Sequence, residues 1–357
     1  MKILHASDFH LDSPFHALDA EQAMARRREL RRLPRRLAET ARREGADLVL
    51  LPGDLFDGGR VRPETVSALT EALAELSAPV VIAPGNHDPA GGRSPYLTAR
   101  WPENVHIFKG AELSSFAFPG LGCTVYGSAF TAPRREDEPL AGFSAPASAG
   151  TALLCLHGEV GQGGYYGPIP PSALAASGAV YAALGHVHAC SGLRREGDTC
   201  WAYCGCPEGR GFDECGEKGA LLVELEEGAQ PSARFLPLCR RQYRIVETGC
   251  AGFDAALAAL PPEDLVRVIL TGTSERRPDL AALEERARAR FFYAEVRDAT
   301  TLPADLWARA EEETLTGLFL REMRGRIEQA DEAERPGLLL AARFGLAALE
   351  GGEDVCP

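Results

Sequence analysis

The stretch "AALGHVHAC", residues 182–190, is an apolar approach that ends in two histidines one residue apart, His186 and His188. In extended backbone, residues i and i+2 point to the same side. Both imidazoles therefore face one region just beyond the strand predicted by "AVYAAL" (179–184). The same event recurs along the chain. "KILHAS" (2–7) is followed by Asp8 and His10, again at i and i+2; "DLVLLPG" (47–53) by Asp54; "PVVIAPG" (79–85) by Asn86, His87 and Asp88; and "TALLCL" (151–156) by His157. In open α/β sheets, ligands bind outside the carboxyl ends of the strands. Two aspartates, one asparagine and four histidines can thus converge on one rim. Oxygen and imidazole donors without a thiolate suit Mn²⁺, Fe or Zn²⁺ better than Ca²⁺, and they are too many for one ion. Two ions sharing a carboxylate follow.

Helical patterns separate the first few apolar runs, so the spacing predicts a layered α/β domain with mixed β-sheets flanked by helices. "GALLVELEEG" (219–228) and "SARFLPL" (232–238) read as a terminal hairpin. From residue 243 the order becomes strand, helix, strand, helix, strand, a small β-α-β-α-β second domain. The expected divisions are 1–242, a main domain; 243–302, an accessory domain capping it; and 303–357, C-terminal helices.

Composition is that of a globular protein, 45% apolar and 25% charged, with no apolar run long enough to span a membrane. The opening "MKILHASDFH" lacks the features of a secretory signal, which sets the expectation of a cytoplasmic protein. Of ten cysteines, Cys190, Cys200, Cys204, Cys206 and Cys215 cluster, but at spacings foreign to a paired zinc module, and they read as thiols. Net charge is −13, yet nine arginines fall between residues 26 and 43. Leu30, Leu33, Leu37 and Ala41 recur there at helical spacing, predicting an amphipathic helix interrupted at Pro34. Its basic face is either solvated or a phosphate-backbone contact, with Arg31, Arg32, Arg35 and Arg36 as the candidate DNA-binding residues.

The blocks "SDFH", "GDLFD", "GNHD", "LHGE" and "GHVH", in that order, resemble the five signature blocks of the calcineurin-like metallophosphoesterases. The flanking "ILHASDFHLDSPF" and "YCGCPEGRGFDECGEKGALLVEL" (203–225) are similar to the SbcD-like DNA-repair exonucleases, especially the YhaO-type bacterial branch. The resemblance covers roughly residues 1–300. It implies a dimetal phosphodiesterase with two divalent ions, Mn²⁺ first and Fe or Zn as alternatives. One ion would be held by Asp8, His10, Asp54 and His188, and the other by Asp54, Asn86, His157 and His186, with Asp54 as the bridge. His87 matches the family's catalytic histidine. Asp57 and Asp88 are expected to orient the ligand imidazoles and His87; His5, His16 and His106 receive no role.

DNA is the implied substrate, cleaved by an exonuclease; the acidic net charge keeps a small-molecule phosphodiesterase or phosphatase as the alternative. The apolar stripe Leu306, Trp307, Leu315, Leu318, Phe319, Met323 and Ile327, with "LLLAARFGLAAL" beyond it, either packs on its own domain or docks on an SbcC-like coiled-coil ATPase. A homodimer is a further expected assembly.

Overall fold

Each apolar run that ends in a polar residue is a strand. The first unit holds β1 (Lys2–His5), α1 (Ala20–Arg31), α2 (Leu33–Glu44), β2 (Leu48–Leu51), α3 (Pro63–Ala74), β3 (Val80–Ile82), α4 (Pro95–Thr98) and β4 (Val105–Ile107). It continues through β5 (Ser114–Phe118), β6 (Cys123–Gly127), β7 (Thr151–His157), α5 (Pro171–Ala176), β8 (Tyr181–Gly185), β9 (Arg194–Glu196), β10 (Thr199–Tyr203), β11 (Gly219–Glu224) and β12 (Ser232–Pro237). The structure is a computed structural model describing residues 1–58, 61–274, 277–301, 306–307 and 309–349. The chain divides into two units, Met1–Tyr243 and Arg244–Pro357.

Two mixed six-stranded sheets build the first unit, in the orders β12-β11-β1-β2-β3-β4 and β5-β6-β7-β8-β10-β9. β1 to β4 run parallel, as do β6, β7, β8 and β10. The period-2 alternation of strands sorts their side chains into layers. Ile3, Leu48, Leu50 and Val81 meet Val125, Leu153, Cys155, Tyr181 and Ala183 between the sheets. Their alternates Leu4, Val49, Leu51, Val80 and Ile82 lie under Leu30, Leu33, Leu37, Leu69 and Leu73 of the helices. Leu154, Leu156, Ala182 and Leu184 cover the opposite face with Ile169 and Leu174. The parallel strands thus bring their carboxyl ends to one rim.

The basic segment is two helices, so the expected interruption is a restart. The break falls at Arg32, and Pro34 sits at the start of α2, where its missing N–H costs nothing. Several of its arginines are structural. Arg26 is fully buried, its Nη1 donating to Glu29 at 2.7 Å and Glu208 at 3.0 Å and its Nη2 to the Gly209 carbonyl at 2.8 Å. Buried charges need such pairing, because stranding one costs roughly 3–5 kcal/mol. Arg36 Nη2 donates to Glu208 at 2.9 Å, and Arg31 Nε donates to Thr65 at 3.2 Å beside Asp12. Both keep part of the side chain exposed while holding these internal partners; Arg32 and Arg35 are more exposed, Arg35 pairing with Glu39 at 3.2 Å.

β13 (Tyr243–Thr248) starts at the last residue of the first unit and continues into the second, followed by α6 (Phe253–Ala258), β14 (Leu265–Leu270), α7 (Leu280–Arg288) and β15 (Tyr293–Asp298), a sheet in the order β13-β14-β15. Phe253, Val266, Val268, Leu270, Ala287 and Ala294 form its core. α8 (Leu315–Gln329) packs on α9 (Arg335–Leu349). The expected stripe splits: Met323 is buried, and Leu306, Trp307 and Phe319 pack against buried Leu320 and Leu346, whereas Leu315 and Leu318 are exposed. The expected boundary at residues 302–303 lies outside the described residues. Among the described residues no helix is long and apolar enough to cross a membrane. Cys200, Cys204 and Cys206 are buried thiols, and no cysteine among the described residues joins a group able to hold a metal.

Candidate metal centre

The strand-end loops adopt backbone that most residues avoid. Asp8 (φ 56°), His10 (φ 43°), Asp54 (φ 51°) and His186 (φ 108°) all lie at positive φ. For residues with a Cβ, the left-handed region costs about 1–2 kcal/mol each, and such strain gathers at functional sites. The loops also press together. A Cβ on Gly85 would fall 2.2 Å from Asp54 Oδ1, and one on Gly185 would fall 1.8 Å from the Pro52 carbonyl oxygen. Glycine precedes Asn86 and His186 because nothing larger fits. Amides of Asp8 and His10 donate to the carbonyls of Gly53 and Asp54, both at 3.0 Å, tying the first loop to the second.

Asp8, His10, Asp54, Asn86, His157, His186 and His188 are brought together at this rim. Three overlapping groups each place their donor atoms within 4.8 Å: Asp8, His10 and His188; His10, Asp54 and His87; Asp8, Asp54 and His157. Asn86 Oδ1 lies 2.8 Å from His157 Nε2 and 3.1 Å from His186 Nδ1. Asp54 Oδ1 accepts the His87 amide at 2.9 Å. Its Oδ2 is left between His157 Nε2 at 3.4 Å and His10 Nε2 at 3.8 Å.

The protons on these groups show whether the donor set suits a cation. His157 Nδ1 is 2.9 Å from the Pro52 carbonyl, which can only accept. Burial lowers the pKa of this imidazole and keeps it neutral, so its one proton is on Nδ1. Nε2 therefore turns a bare lone pair toward the oxygens of Asn86 and Asp54. His188 Nδ1 is likewise engaged, 2.7 Å from Glu214 Oε1, and its Nε2 faces His10 Nε2 at 3.1 Å. Lone pairs converging without protons between them are repulsive until a cation intervenes. Burial, then the Asp88 charge, pushes Asp54 up to about 7, the same crowding seen from the carboxylate. The donor set fits divalent metal.

His5 is the contrast. Its Nδ1 meets the Tyr181 hydroxyl at 2.8 Å and its Nε2 the Leu184 carbonyl at 3.2 Å, so both ring nitrogens are satisfied in the core.

Around the donors, His87 Nδ1 lies 3.2 Å from Asp57 Oδ1, which is also 3.5 Å from His10 Nδ1. Burial works to raise Asp57, but these two imidazoles outweigh it and hold the carboxyl well below its usual range. Asp88, expected to orient an imidazole, does not touch one. It accepts the amides of Gly85 at 2.8 Å, Phe56 at 3.0 Å and Asp54 at 3.2 Å, with the Tyr96 hydroxyl, and so fixes the backbone beneath Asp54 and Asn86. Glu214 is a partner that sequence pattern does not reveal. It grips His188 and is itself held by Arg210 Nη2 at 2.9 Å. An acid in the polar run "GRGFDECGEK" (209–218) carries no periodicity to mark it.

A family model for calcineurin-like phosphoesterases matches residues 1–190. The chain belongs to that family. Among curated relatives, it is 34% identical over 240 residues to the uncharacterized metallophosphoesterase YhaO of Bacillus subtilis, covering 64% of this chain and 58% of YhaO. It is 29% identical over 270 residues to the DNA double-strand break repair protein Mre11 of Aeropyrum pernix, covering 70% of this chain and 64% of that one. The Mre11 protein of Saccharolobus solfataricus, also named for DNA double-strand break repair, is 28% identical over 263 residues, 64% of this chain and 61% of the relative. The chain thus spans less than two thirds of the length of each of these relatives.

Proposed function

We propose that this calcineurin-like phosphoesterase is a dimetal phosphodiesterase that degrades DNA from its ends. The observation that carries the reading is Asp54 Oδ2, poised between His157 and His10, where one carboxylate oxygen can serve two ions. Asp8, His10, Asp54 and His188 would hold one ion and Asp54, Asn86, His157 and His186 the other, with Mn²⁺ the favoured metal. Bound ions would supply Lewis acidity toward the phosphoryl group and ease deprotonation of the attacking water.

The chain's own groups do the rest. Asp57 fixes His87 with Nδ1–H donating, which leaves Nε2 of this half-exposed ring to give a proton to the leaving oxygen. The hydrogen bond to Asp57 raises the pKa of His87, favouring the protonated acid. The ring of exposed Tyr166 sits 5.1 Å from that of His186, and Tyr165 is exposed beside it. Aromatic rings at the rim suit a substrate with stackable bases. The relatives named for DNA repair support the same substrate. The net charge of −13 favours the alternative, a small-molecule phosphodiesterase. The exposed Leu315 and Leu318 of α8 are the proposed docking surface for an SbcC-like ATPase, which would supply the DNA grip that the acidic chain lacks.

The Mn²⁺-loaded chain is expected to release nucleotides from linear DNA, to spare closed circles, and to lose this activity on chelation. Turnover of small phosphodiesters without any cleavage of DNA ends would favour the alternative. On the basic face, Arg32 and Arg35 are exposed and are the first candidates for phosphate contact. Replacing both by serine is expected to flatten the dependence of log K on log salt by about 0.9 for each phosphate no longer neutralised, measured by DNA-binding titrations between low and moderate salt. An unchanged slope assigns this face to solvent.

A further inference from the structure

We infer that Arg210 is a substrate-binding residue that contacts a phosphoryl oxygen; this rests on the phosphodiester reading of the same site. Among the described residues, Arg210 Nη2 donates to Glu214 Oε1 at 2.9 Å. Its 3.1 Å approach to His188 Nδ1 is no second hydrogen bond, because that nitrogen already carries the proton shared with Glu214 at 2.7 Å. Arg210 Nε is buried without a partner. A guanidinium carries five N–H donors in a fixed fork, and leaving them unmet away from water is costly. Glu214 is already engaged at both oxygens. Its Oε1 serves both His188 and Arg210, and its Oε2 takes the Arg210 amide at 2.7 Å.

The charge is also in the right place. It lies close enough to act on Asp57, His10 and His87, the group expected to face the leaving oxygen. The guanidinium is partly exposed, so an anion at the rim can reach it. Holding Glu214 alone would need only a neutral donor. A planar cation with spare donors is what a phosphoryl group selects, since its oxygens accept from the fork in pairs.

The chain fixes Arg210 in advance. Its carbonyl accepts the Tyr243 hydroxyl at 3.0 Å, and the preceding Gly209 carbonyl is held by buried Arg26. Glu208, one residue earlier, receives Arg26, Arg36 and the Arg240 amide, the last at 3.0 Å. Buried Arg26 and partly exposed Arg36, both supplied by the basic segment, thus anchor the loop that presents this cation.

The test compares Arg210→Gln and Arg210→Lys with the parent for Mn²⁺ binding by paramagnetic resonance titration, for inorganic phosphate binding to the Mn²⁺-loaded protein by calorimetry, and for KM and kcat on a chromogenic phosphodiester. Arg210→Gln is expected to keep Mn²⁺ affinity within about twofold, while phosphate dissociation and KM rise roughly tenfold to a hundredfold, the scale of a hydrogen bond to a charged group. Arg210→Lys should recover part of the phosphate affinity. Loss of Mn²⁺ in parallel with phosphate in both variants would make Arg210 a support for His188 and overturn the inference, as would unchanged phosphate binding. A parent that binds Mn²⁺ but neither binds phosphate nor hydrolyses the diester would instead refute the phosphodiester reading itself.

Discussion

Asp54→Asn is expected to lower turnover of a chromogenic phosphodiester by roughly 10³-fold or more, because metal ions supply several kcal/mol of charge stabilisation to such reactions. Mn²⁺ binding should weaken at both positions together. The reason is the geometry of one carboxylate. Asp54 Oδ1 is engaged by the His87 amide, and Oδ2 alone faces both the His157 and His10 nitrogens. Asparagine keeps the shape and the hydrogen bond from His87 but not the charge. The metal-free variant should also unfold no earlier than the metal-free parent, because the substitution relieves crowding among Asp8, Asp54 and Asp88. Thermal unfolding with and without Mn²⁺ separates the cases: the parent should gain stability on adding metal and the variant should gain little. A variant that still binds two Mn²⁺ with parental affinity would remove Asp54 from the bridge.

Much of this centre is legible in the sequence because strands and their ends leave a local mark. Apolar runs of four to seven residues such as "LVLL" and "TALLCLH" must be buried, and the polar residue that follows each one must lie where the sheet ends. The order of sheet strands, and hence the meeting of Asp8 with His188 from opposite ends of the matched family region, is set by long-range pairing that no local pattern encodes. Partner choice is where local reading fails. Asp88 reads as a partner for an imidazole because it follows His87 directly, yet the turn directs its carboxylate back onto three amides. Arg31 and Arg36 read as surface because helical spacing shows which face a residue occupies, not which acid arrives from residues 12 or 208 to cover it. Glu214 and Arg210 are invisible for the same reason, since their meaning depends on the fold of a loop without repeat.

His87→Ala should behave in the opposite way to Asp54→Asn, keeping the metal and losing the proton. Although His87 shares a group with His10 and Asp54, its ring is half-exposed at the rim and its Nδ1 is committed to Asp57. Asp8, His10, Asp54, Asn86, His157, His186 and His188 remain to hold the ions, so Mn²⁺ stoichiometry should stay at the parental value. Turnover of DNA is expected to fall by about 10²- to 10⁴-fold, the range of general-acid contributions. The loss should depend on what departs. A sugar alkoxide is a strong base that must be protonated as it leaves, whereas p-nitrophenolate is a weak one that leaves unaided. The His87→Ala deficit should therefore be large for DNA or an alkyl diester and small for the p-nitrophenyl diester under the same conditions. Metal content by elemental analysis and kcat on the three substrates decide the matter. An equal loss on all three, or an emptied site, would show that His87 holds or shapes the metal centre instead of protonating the leaving group.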